Sequence, residues 1–165
     1  MAPLVRRTWA PRGLTPILYQ RTRTHKKASV IAALCVTPTR DRLHLYFRLH
    51  PGRNINSQTV ISFLRSLMRQ LDAPVVLVWD RLLAHRSAKV NDFIDNTTDL
   101  STFFLPPYAP ELNPVEGVWS YLKLNPLANY PATDLESLAA TARHHARSVQ
   151  RKQTLLRSFL KHTPL

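Results

Sequence analysis

The sequence predicts an α/β domain. Two apolar, strand-like runs, Ala28 to Val36 and Val75 to Trp79, are separated by a segment from Ser57 to Leu71 whose apolar residues recur at helical spacing. The predicted order of elements is strand, strand, helix, strand, helix, strand, helix, and such alternation is typical of α/β folds. A chain of 165 residues is long enough for one domain with its own core and too short for two comfortable ones.

The first two strands are predicted to form a hairpin. The run from Ala28 to Val36 is continuously apolar, as expected of a buried strand. From Leu43 to Leu49 apolar residues alternate with polar or amphipathic neighbours, which is the period of a strand. The segment from Thr37 to Arg42 is the predicted connection.

The next helix and strand lead to an acidic residue. In the helix that begins at Ser57 the apolar stripe is most simply explained by core packing, and the segment Asp72 to Pro74 ends the helix. Val75 to Trp79 has no polar face, which predicts a strand covered on both sides. Asp80 follows at the C-terminal end of this strand.

The second half of the chain is predicted to be mainly helical. A helix is expected from about Ser87 to Asp95, and a strand from Thr102 to Leu105 ends at Pro106-Pro107. Asn113 is a good helix cap, and Pro114 suits the first helical position. A capping box of Thr133 and Glu136 predicts a helix toward Arg147. The last amphipathic segment carries Leu155, Leu156, Phe159 and Leu160.

The charge of the chain predicts a polyanionic partner. Its 23 Lys and Arg exceed its 10 Asp and Glu, giving a net charge of +13. Such an excess favours binding to nucleic acid through phosphate contacts and counterion release. A basic ribosomal protein or a protein of the membrane surface would carry the same charge, so charge alone leaves these classes open.

The single cysteine and the absence of long apolar stretches limit the location of the protein. Cys35 lies in an apolar run, which excludes a disulfide framework and predicts a buried, inert thiol. No apolar stretch approaches the roughly 18 residues of a membrane-spanning helix. The N-terminus lacks the basic-then-apolar layout of a signal peptide. We expect a protein of a reducing cytoplasm with no membrane partner.

Two carboxylates occupy contexts that suit metal-assisted phosphoryl chemistry. Asp80 ends a buried strand, and Glu116 is expected in the first turn of the helix after the neighbouring strand, so both could project at the carboxyl edge of a sheet. Clustered carboxylates are the ligands that divalent ions need for phosphodiester displacement. Alone, the local pattern favours a structural role for Glu116, because an acid stabilises a helix N-terminus. For Asp80 it leaves open a loop-opening, capping role.

Two segments carry a resemblance to a known family. Trp79–Ser87 (WDRLLAHRS) and Leu105–Ser120 (LPPYAPELNPVEGVWS) resemble the last two signature blocks of the DDE-superfamily endonuclease domain of mariner-like bacterial insertion-sequence transposases. The second block is highly specific. The similarity extends through Arg7–Gly13 (RTWAPRG) and Tyr46–Asn54 (YFRLHPGRN), and so covers most of the chain.

The resemblance implies a ribonuclease-H-like fold, a mixed sheet flanked by helices, and cleavage and strand transfer of duplex DNA at the ends and target of an insertion sequence. Asp80 matches the second catalytic Asp of the family and Glu116 its final acid, as ligands of two Mg²⁺ ions, with Mn²⁺ as a substitute. They lie 36 positions apart, at 80 and 116, which agrees with the compact spacing of that group. The implied setting is the bacterial cytoplasm, at the nucleoid, and the complete protein is expected to be a homo-oligomer.

The chain departs from the family at its N-terminus. The first catalytic Asp of the family ends a strand just upstream of the position that matches Arg6, and only five residues precede Arg6 here. Asp41, the first acid of this chain, falls in the predicted hairpin turn and is not expected to replace that ligand. In a ribonuclease-H-like sheet the missing strand is central, and its loss would expose two inner edges. We therefore expect an N-terminally truncated or frameshifted part, completed by an upstream-encoded polypeptide that supplies the first Asp and a DNA-binding module.

The predicted domain organisation has three segments. Residues 1–27 form a basic, irregular N-terminal segment without acids. Residues 28–125 form a partial ribonuclease-H-like catalytic domain that lacks its first, central strand. Residues 126–165 form basic C-terminal helices that pack on the same domain.

Several basic and polar residues are candidates for DNA contact. His85 matches a recurrent His near the family's site, although a packed histidine is an equal alternative, and Tyr108 could stack on a base or sugar or simply pack in its loop. The full set of candidates is Arg6, Arg7, Arg12, Lys26, Lys27, His85, Arg86, Tyr108 and Asn113.

Three functions are compatible with these observations. The first is a DDE endonuclease part of a transposase. The second is an inactive transposase remnant with nonspecific nucleic-acid binding. The third, a basic RNA-binding protein, explains the charge but not the blocks around Asp80 and Glu116.

Overall fold

The computed structural model describes residues 6–7, 9–15, 17, 28–130, 134–161 and 163. Its strands and helices follow the predicted order, and the fourth strand begins slightly earlier than expected. The strands are β1 (Ala28–Val36), β2 (Leu43–Pro51), β3 (Val75–Trp79) and β4 (Leu100–Phe104), and the helices are α1 (Ser57–Leu71), α2 (Ala88–Asp95), α3 (Pro114–Leu124), α4 (Leu135–Gln150) and α5 (Gln153–Lys161).

The β1–β2 hairpin is antiparallel, with Val36 opposite Leu43 at the turn. Asp41 fixes this turn, because its Oδ1 accepts hydrogen bonds from the hydroxyls of Thr37 at 2.6 Å and Thr39 at 2.7 Å. These bonds lower the pKa of Asp41 from 3.8 to about 2. Asp41 therefore has a structural role in the turn, consistent with the expectation that it is not a catalytic ligand.

The β3 and β4 strands are parallel and form a second sheet, separate from the hairpin. In the described ranges no strand joins β1 to β3. This is the arrangement expected of a ribonuclease-H-like sheet whose central strand is missing from the described part of the chain. Within the described ranges, β1 pairs only with β2 and β3 only with β4.

Helices α1 and α2 cover one face of the β3–β4 sheet. Val60, Ile61 and Leu64 of α1 pack with Trp79 and Leu100 in one core cluster. The connection of Asp72–Pro74 between α1 and β3 is short, so the two elements run in opposite directions.

The other face of this sheet is open, which corrects the prediction that β3 is covered on both sides. Val76 is 69% exposed, Val78 is 49% exposed and Phe103, beside Val78, is 60% exposed. The apolar run of β3 has no polar face, but the helices that follow β4 pack elsewhere. A continuous apolar run shows that both faces of a strand can be buried. It does not show that the described residues supply a covering layer on each face.

Helices α3, α4 and α5 instead cover the β1–β2 sheet. Leu43, Val118, Leu122 and Leu156 share the second core cluster. Gln153, at the start of α5, also binds the backbone of β2. Its side chain accepts from the Leu43 N–H at 3.1 Å and donates to the Leu43 carbonyl at 2.8 Å. This amide satisfies two backbone groups of β2 that have no strand partner.

The helix caps match the sequence predictions at α3 but not at α4. Asn113 caps α3, since its side-chain oxygen accepts from the Val115 N–H. In α4 the capping box consists of Asp134 and Ser137 rather than Thr133 and Glu136. The Asp134 carboxylate accepts from the Ser137 N–H at 2.7 Å, and Asp is at least as good a cap as Thr. Thr133 itself lies outside the described residues.

Two further observations concern burial and membrane crossing. Cys35 is half-buried rather than fully buried as predicted, and this burial raises the pKa of its thiol from 9.0 to about 11. None of the described helices is both long enough and apolar enough to cross a bilayer.

Candidate active site

Asp80 lies at the carboxyl edge of the parallel strands. The β3 strand ends at Trp79, which pairs with Phe104 at the end of β4, and the Leu105 N–H donates to the Trp79 carbonyl at 2.8 Å. Asp80 is therefore the first residue beyond a fixed strand end, and its side chain is 49% exposed. Sites of α/β proteins lie at such edges, where parallel strands deliver side chains to one place.

The Asp80 carboxylate is held through one of its two oxygens. Its Oδ1 lies 2.9 Å from Nδ1 of His85 and accepts the Leu82 N–H at 3.0 Å. The hydrogen bond from His85 is the largest cause of a lowered Asp80 pKa, the Leu82 N–H and the charge of His85 act in the same direction, and burial opposes them. No hydrogen bond to Oδ2 is found among the described residues, so this oxygen is available to a cation.

An aromatic stack fixes His85. Its ring lies 4.5 Å from the Trp79 ring at an interplanar angle of 13°, and Trp79 stacks in turn on Phe104 at 5.8 Å. The Arg81 guanidinium lies over the Phe104 ring, 5.5 Å from its centroid, and the Arg81 Nε donates to the Leu105 carbonyl at 3.1 Å. The imidazole orientation, and with it the Oδ1 contact, is thus determined by packing on β3 and β4.

Glu116 lies in the first turn of α3 and is exposed. The loop from Leu105 to Asn113 brings the chain from β4 to this helix and contains a short 3-10 helix, Pro110–Leu112. The position of α3 is set by close packing, because a Cβ added at Gly117 would lie 3.1 Å from Cδ1 of Phe159 in α5. Gly117 therefore allows α3, with Glu116 at its exposed face, to approach α5.

Tyr108 projects from the same loop. Its backbone is left-handed, with φ of 58°, and its side chain is fully exposed. A non-glycine residue in this conformation costs free energy, and such residues concentrate at functional sites. Exposure excludes the loop-packing role that the sequence left open for Tyr108.

The structure brings Asp80 and His85 together, and it places Glu116 on a different element. The described residues contain no group of three His, Cys, Asp or Glu side chains suited to holding a metal ion. The two predicted carboxylates therefore have no third partner in the described part of the chain.

The predicted DNA-contact residues occupy different settings. Arg6 is engaged at the end of α3, where its Nη1 donates to the Leu124 carbonyl at 2.6 Å and its backbone bonds to Asn129. Asn113 is the cap of α3. The remaining described candidates, Arg7, Arg12 and Arg86, are exposed. Lys26 and Lys27 lie outside the described residues.

Sequence reasoning missed Trp79 and Arg81 as parts of the site. Both flank Asp80, and the signal that could have identified them is the adjacency of an aromatic and a cationic residue to an acid at a strand end. The stack itself depends on Phe104, which is 25 positions from Trp79 in the chain and is brought beside it only by strand pairing.

The lowered pKa of Asp80 gives a direct test of the His85 contact. We expect His85→Phe, which keeps an aromatic ring against Trp79 but removes the nitrogen donor, to raise the pKa of Asp80 toward or above its ordinary value of 3.8. Since the folded pKa is the lower one, the associated stability is present above about pH 3.8 and is lost as pH falls through the folded pKa. Carboxyl NMR titration measures this, and an unchanged Asp80 pKa in the variant would exclude His85 as the cause.

Comparison with known proteins identifies relatives of this chain. The family model for the DDE superfamily endonuclease matches residues 2–139. A curated protein of Sinorhizobium fredii (strain NBRC 101917 / NGR234), the uncharacterized protein y4pE/y4sA, is 34% identical over 85 residues, which cover 50% of this chain and 60% of that protein.

Solved structures of Mos1 transposase have a similar fold. A paired-end complex with the left transposon end aligns with a TM-score of 0.69 at 17% identity, covering 99% of this chain and 48% of that one. A mariner paired-end complex with Mn aligns with a TM-score of 0.67 and covers 49% of the Mos1 chain. The chain therefore spans about half the length of these transposases, and the predicted ribonuclease-H-like α/β fold class is confirmed.

Proposed function

Since the chain belongs to the DDE superfamily endonuclease family, we propose that it is the endonuclease part of an insertion-sequence transposase that cleaves duplex DNA and transfers the cut strand. The observation that carries this proposal is Asp80, an acid at the carboxyl edge of the parallel strands with one oxygen held and the other open. Glu116, exposed in the first turn of α3, is the second proposed acid.

The donor chemistry suits magnesium, with manganese as a substitute. Asp80 and Glu116 offer hard carboxylate oxygens, which Mg²⁺ prefers to nitrogen or sulfur ligands. Two divalent ions would supply activation of the attacking oxygen and stabilisation of the leaving oxygen. The Mos1 complex with Mn is consistent with this choice of metal.

The other residues of the site position the Asp80 carboxylate or bind the DNA. The Leu82 N–H and His85 hold Oδ1 of Asp80, which leaves Oδ2 as the oxygen proposed to bind the metal ion. Tyr108, fully exposed in its strained loop, stacks on a base or sugar of the DNA. Arg7, Arg12 and Arg86 contact phosphates and contribute to affinity rather than to sequence specificity.

A third carboxylate is proposed to come from another polypeptide segment. The support is twofold: the described residues hold no metal-binding group of three, and no described strand pairs with both β1 and β3. A strand that pairs with both edges and ends in Asp would complete the sheet and the ligand set together. Translation in three frames of the region upstream of the Met1 codon tests this, and stops throughout it would count against the proposal.

A second candidate is an inactive remnant that retains nonspecific nucleic-acid binding at the nucleoid. The specific observation in its favour is the same lack of a third carboxylate in the described residues. The net charge of +13 would preserve affinity for DNA without catalysis.

Nicking of supercoiled plasmid separates the two candidates. We expect the completed protein, the chain together with the upstream-encoded segment, to nick the plasmid in Mg²⁺ or Mn²⁺ and to be inactive in EDTA. Agarose electrophoresis measures conversion to open circles. Binding of the plasmid without nicking, in every metal and with the segment present, would favour the remnant.

A further inference from the structure

A second site is suggested by a cavity between β2 and the start of α1. The cavity has a volume of about 550 Å³, and its lining includes Arg48, His50, Arg53, Asn56 and Ser62. All lining side chains are basic or neutral and polar, and none is acidic. It is distinct from Asp80 and Glu116, neither of which lines it.

The positive charge of this cavity is not neutralised. In the part of the chain that the structure describes, the only ion pair within 4.0 Å is that of Asp80 and His85. Arg48 instead donates to neutral hydroxyls, those of Ser62 and Ser66, at 3.2 Å each. Two guanidinium groups beside one cavity without a carboxylate form a site for an anion.

A buried nitrogen in the cavity wall also lacks a partner. The Nε2 atom of His50 is buried and makes no hydrogen bond within the described residues. Burial lowers the pKa of His50, and the charges of Arg48 and Arg53 lower it further. The imidazole is therefore held neutral beside two guanidinium groups, and a buried polar atom without a partner is ordinarily satisfied by a bound water or ligand.

The start of α1 adds backbone donors to the same cavity. Asn56 caps the helix by accepting from the Thr59 N–H at 2.9 Å, and both residues line the cavity. The other N–H groups of the first helical turn have no acceptor within the helix, and the helix dipole makes this end positive. Helix N-termini combined with arginines are suited to phosphate.

The cavity lies at the start of α1, and the fold relates this end of the helix to the end of β3. The short connection Asp72–Pro74 joins the end of α1 to the start of β3, and α1 packs along β3. The start of α1 must then lie toward the end of β3, where Asp80 is. A phosphate held beside Arg53 is thus on the same edge as the proposed catalytic acid.

We propose that this cavity binds a backbone phosphodiester of DNA and so positions the strand across the edge that carries Asp80. This rests on the proposed function, because the DNA held here is the DNA to be cut. The ligand chemistry is a phosphate oxyanion, which inorganic phosphate shares. Arg53 provides the cleanest test, since it is exposed and no hydrogen bond of its side chain supports the fold, whereas Arg48 links β2 to α1.

The experiment measures binding of a fluorescein-labelled duplex by anisotropy, with the full chain, in EDTA and at several salt concentrations. Arg53→Gln is expected to weaken binding roughly five- to tenfold at 0.1 M salt and to reduce the salt slope by about 0.9, the value for one lost phosphate contact. Arg53→Lys is expected to restore most of the slope. The matched control is Arg69→Gln, which removes one exposed charge at the far end of α1.

Two results would overturn the proposal. One is an Arg53→Gln change no larger than that of Arg69→Gln. The other is inorganic phosphate that shifts the Arg53 side-chain NMR signal without competing with the duplex, which would make the cavity a site for the free ion only. Because the binding assay contains no metal, its result is separate from the test of cleavage. If the completed protein does not nick DNA but its duplex binding still depends on Arg53, only the proposed catalysis is disproved.

Discussion

Asp80→Asn is expected to abolish metal-dependent DNA cleavage by the completed protein. The amide keeps the shape of the side chain and still accepts the Leu82 N–H, but it removes the negative charge at Oδ2, the oxygen that is open to a cation. Loss of a charged group at a reaction centre reduces the rate by on the order of 10³-fold or more. Glu116→Gln is expected to have an effect of similar size.

DNA affinity should change little in both variants, because the proposed DNA contacts are made by the basic residues. The control is Asp41→Asn, which removes an acid in the exposed β1–β2 turn. Single-turnover cleavage of a labelled duplex in Mg²⁺ gives the rate, and anisotropy in Ca²⁺ or EDTA gives the affinity. Cleavage retained in both Asp80→Asn and Glu116→Gln would defeat the assignment of these acids.

Among the substitutions proposed here, Leu122→Ala is expected to lower the free energy of unfolding most. Leu122 is 1% exposed and lies in the core cluster that joins α3 to the β1–β2 sheet and to α4 and α5. Removing a buried leucine side chain costs about 2–5 kcal/mol, from lost burial and from the cavity left behind. Because Glu116 is on the same helix, the change also loosens the support of the proposed acid.

Leu124→Ala is the matched control, since Leu124 is in the same helix, has the same side chain and is 39% exposed. Its expected effect is within about 0.5 kcal/mol, as for most surface substitutions. Urea denaturation followed by circular dichroism measures both variants. Equal destabilisation by the two substitutions would show that α3 is not packed as the structure has it.

The cap of α4 illustrates where local prediction is limited. Thr133 and Glu136 fit a capping box by spacing, yet Asp134 and Ser137 form it. Adjacent residues of equal capping ability give the same local signal, and only the completed hydrogen bonds decide the helix start. The strand β3 is a similar case, because its apolar run predicts burial but the described layers cover one face.

The candidate site likewise combines features that the sequence predicted with features that only the structure shows. The segments around Asp80 and Glu116 were recognised in the sequence by their resemblance to signature blocks of the family, since the local pattern alone favoured a structural role for Glu116 and left the role of Asp80 open. Their catalytic role and the DNA contacts of Arg86 and Tyr108 stay predictions. The resemblance placed His85 near the site, but the stacking on Trp79 and Phe104 that orients its ring toward Asp80 was visible only in the structure.

The sequence by itself determined the order of strands and helices, the positions of the acids and the excess of basic residues that predicts a polyanionic partner, because periodicity, capping and charge are properties of neighbouring residues. Only the tertiary structure decided how the described strands pair, that Val76 and Val78 lie on an exposed face, and that Arg48 and Arg53 line one cavity without an acid. The reason is physical. Burial and charge compensation depend on what distant segments place beside a residue, and no local pattern contains that information.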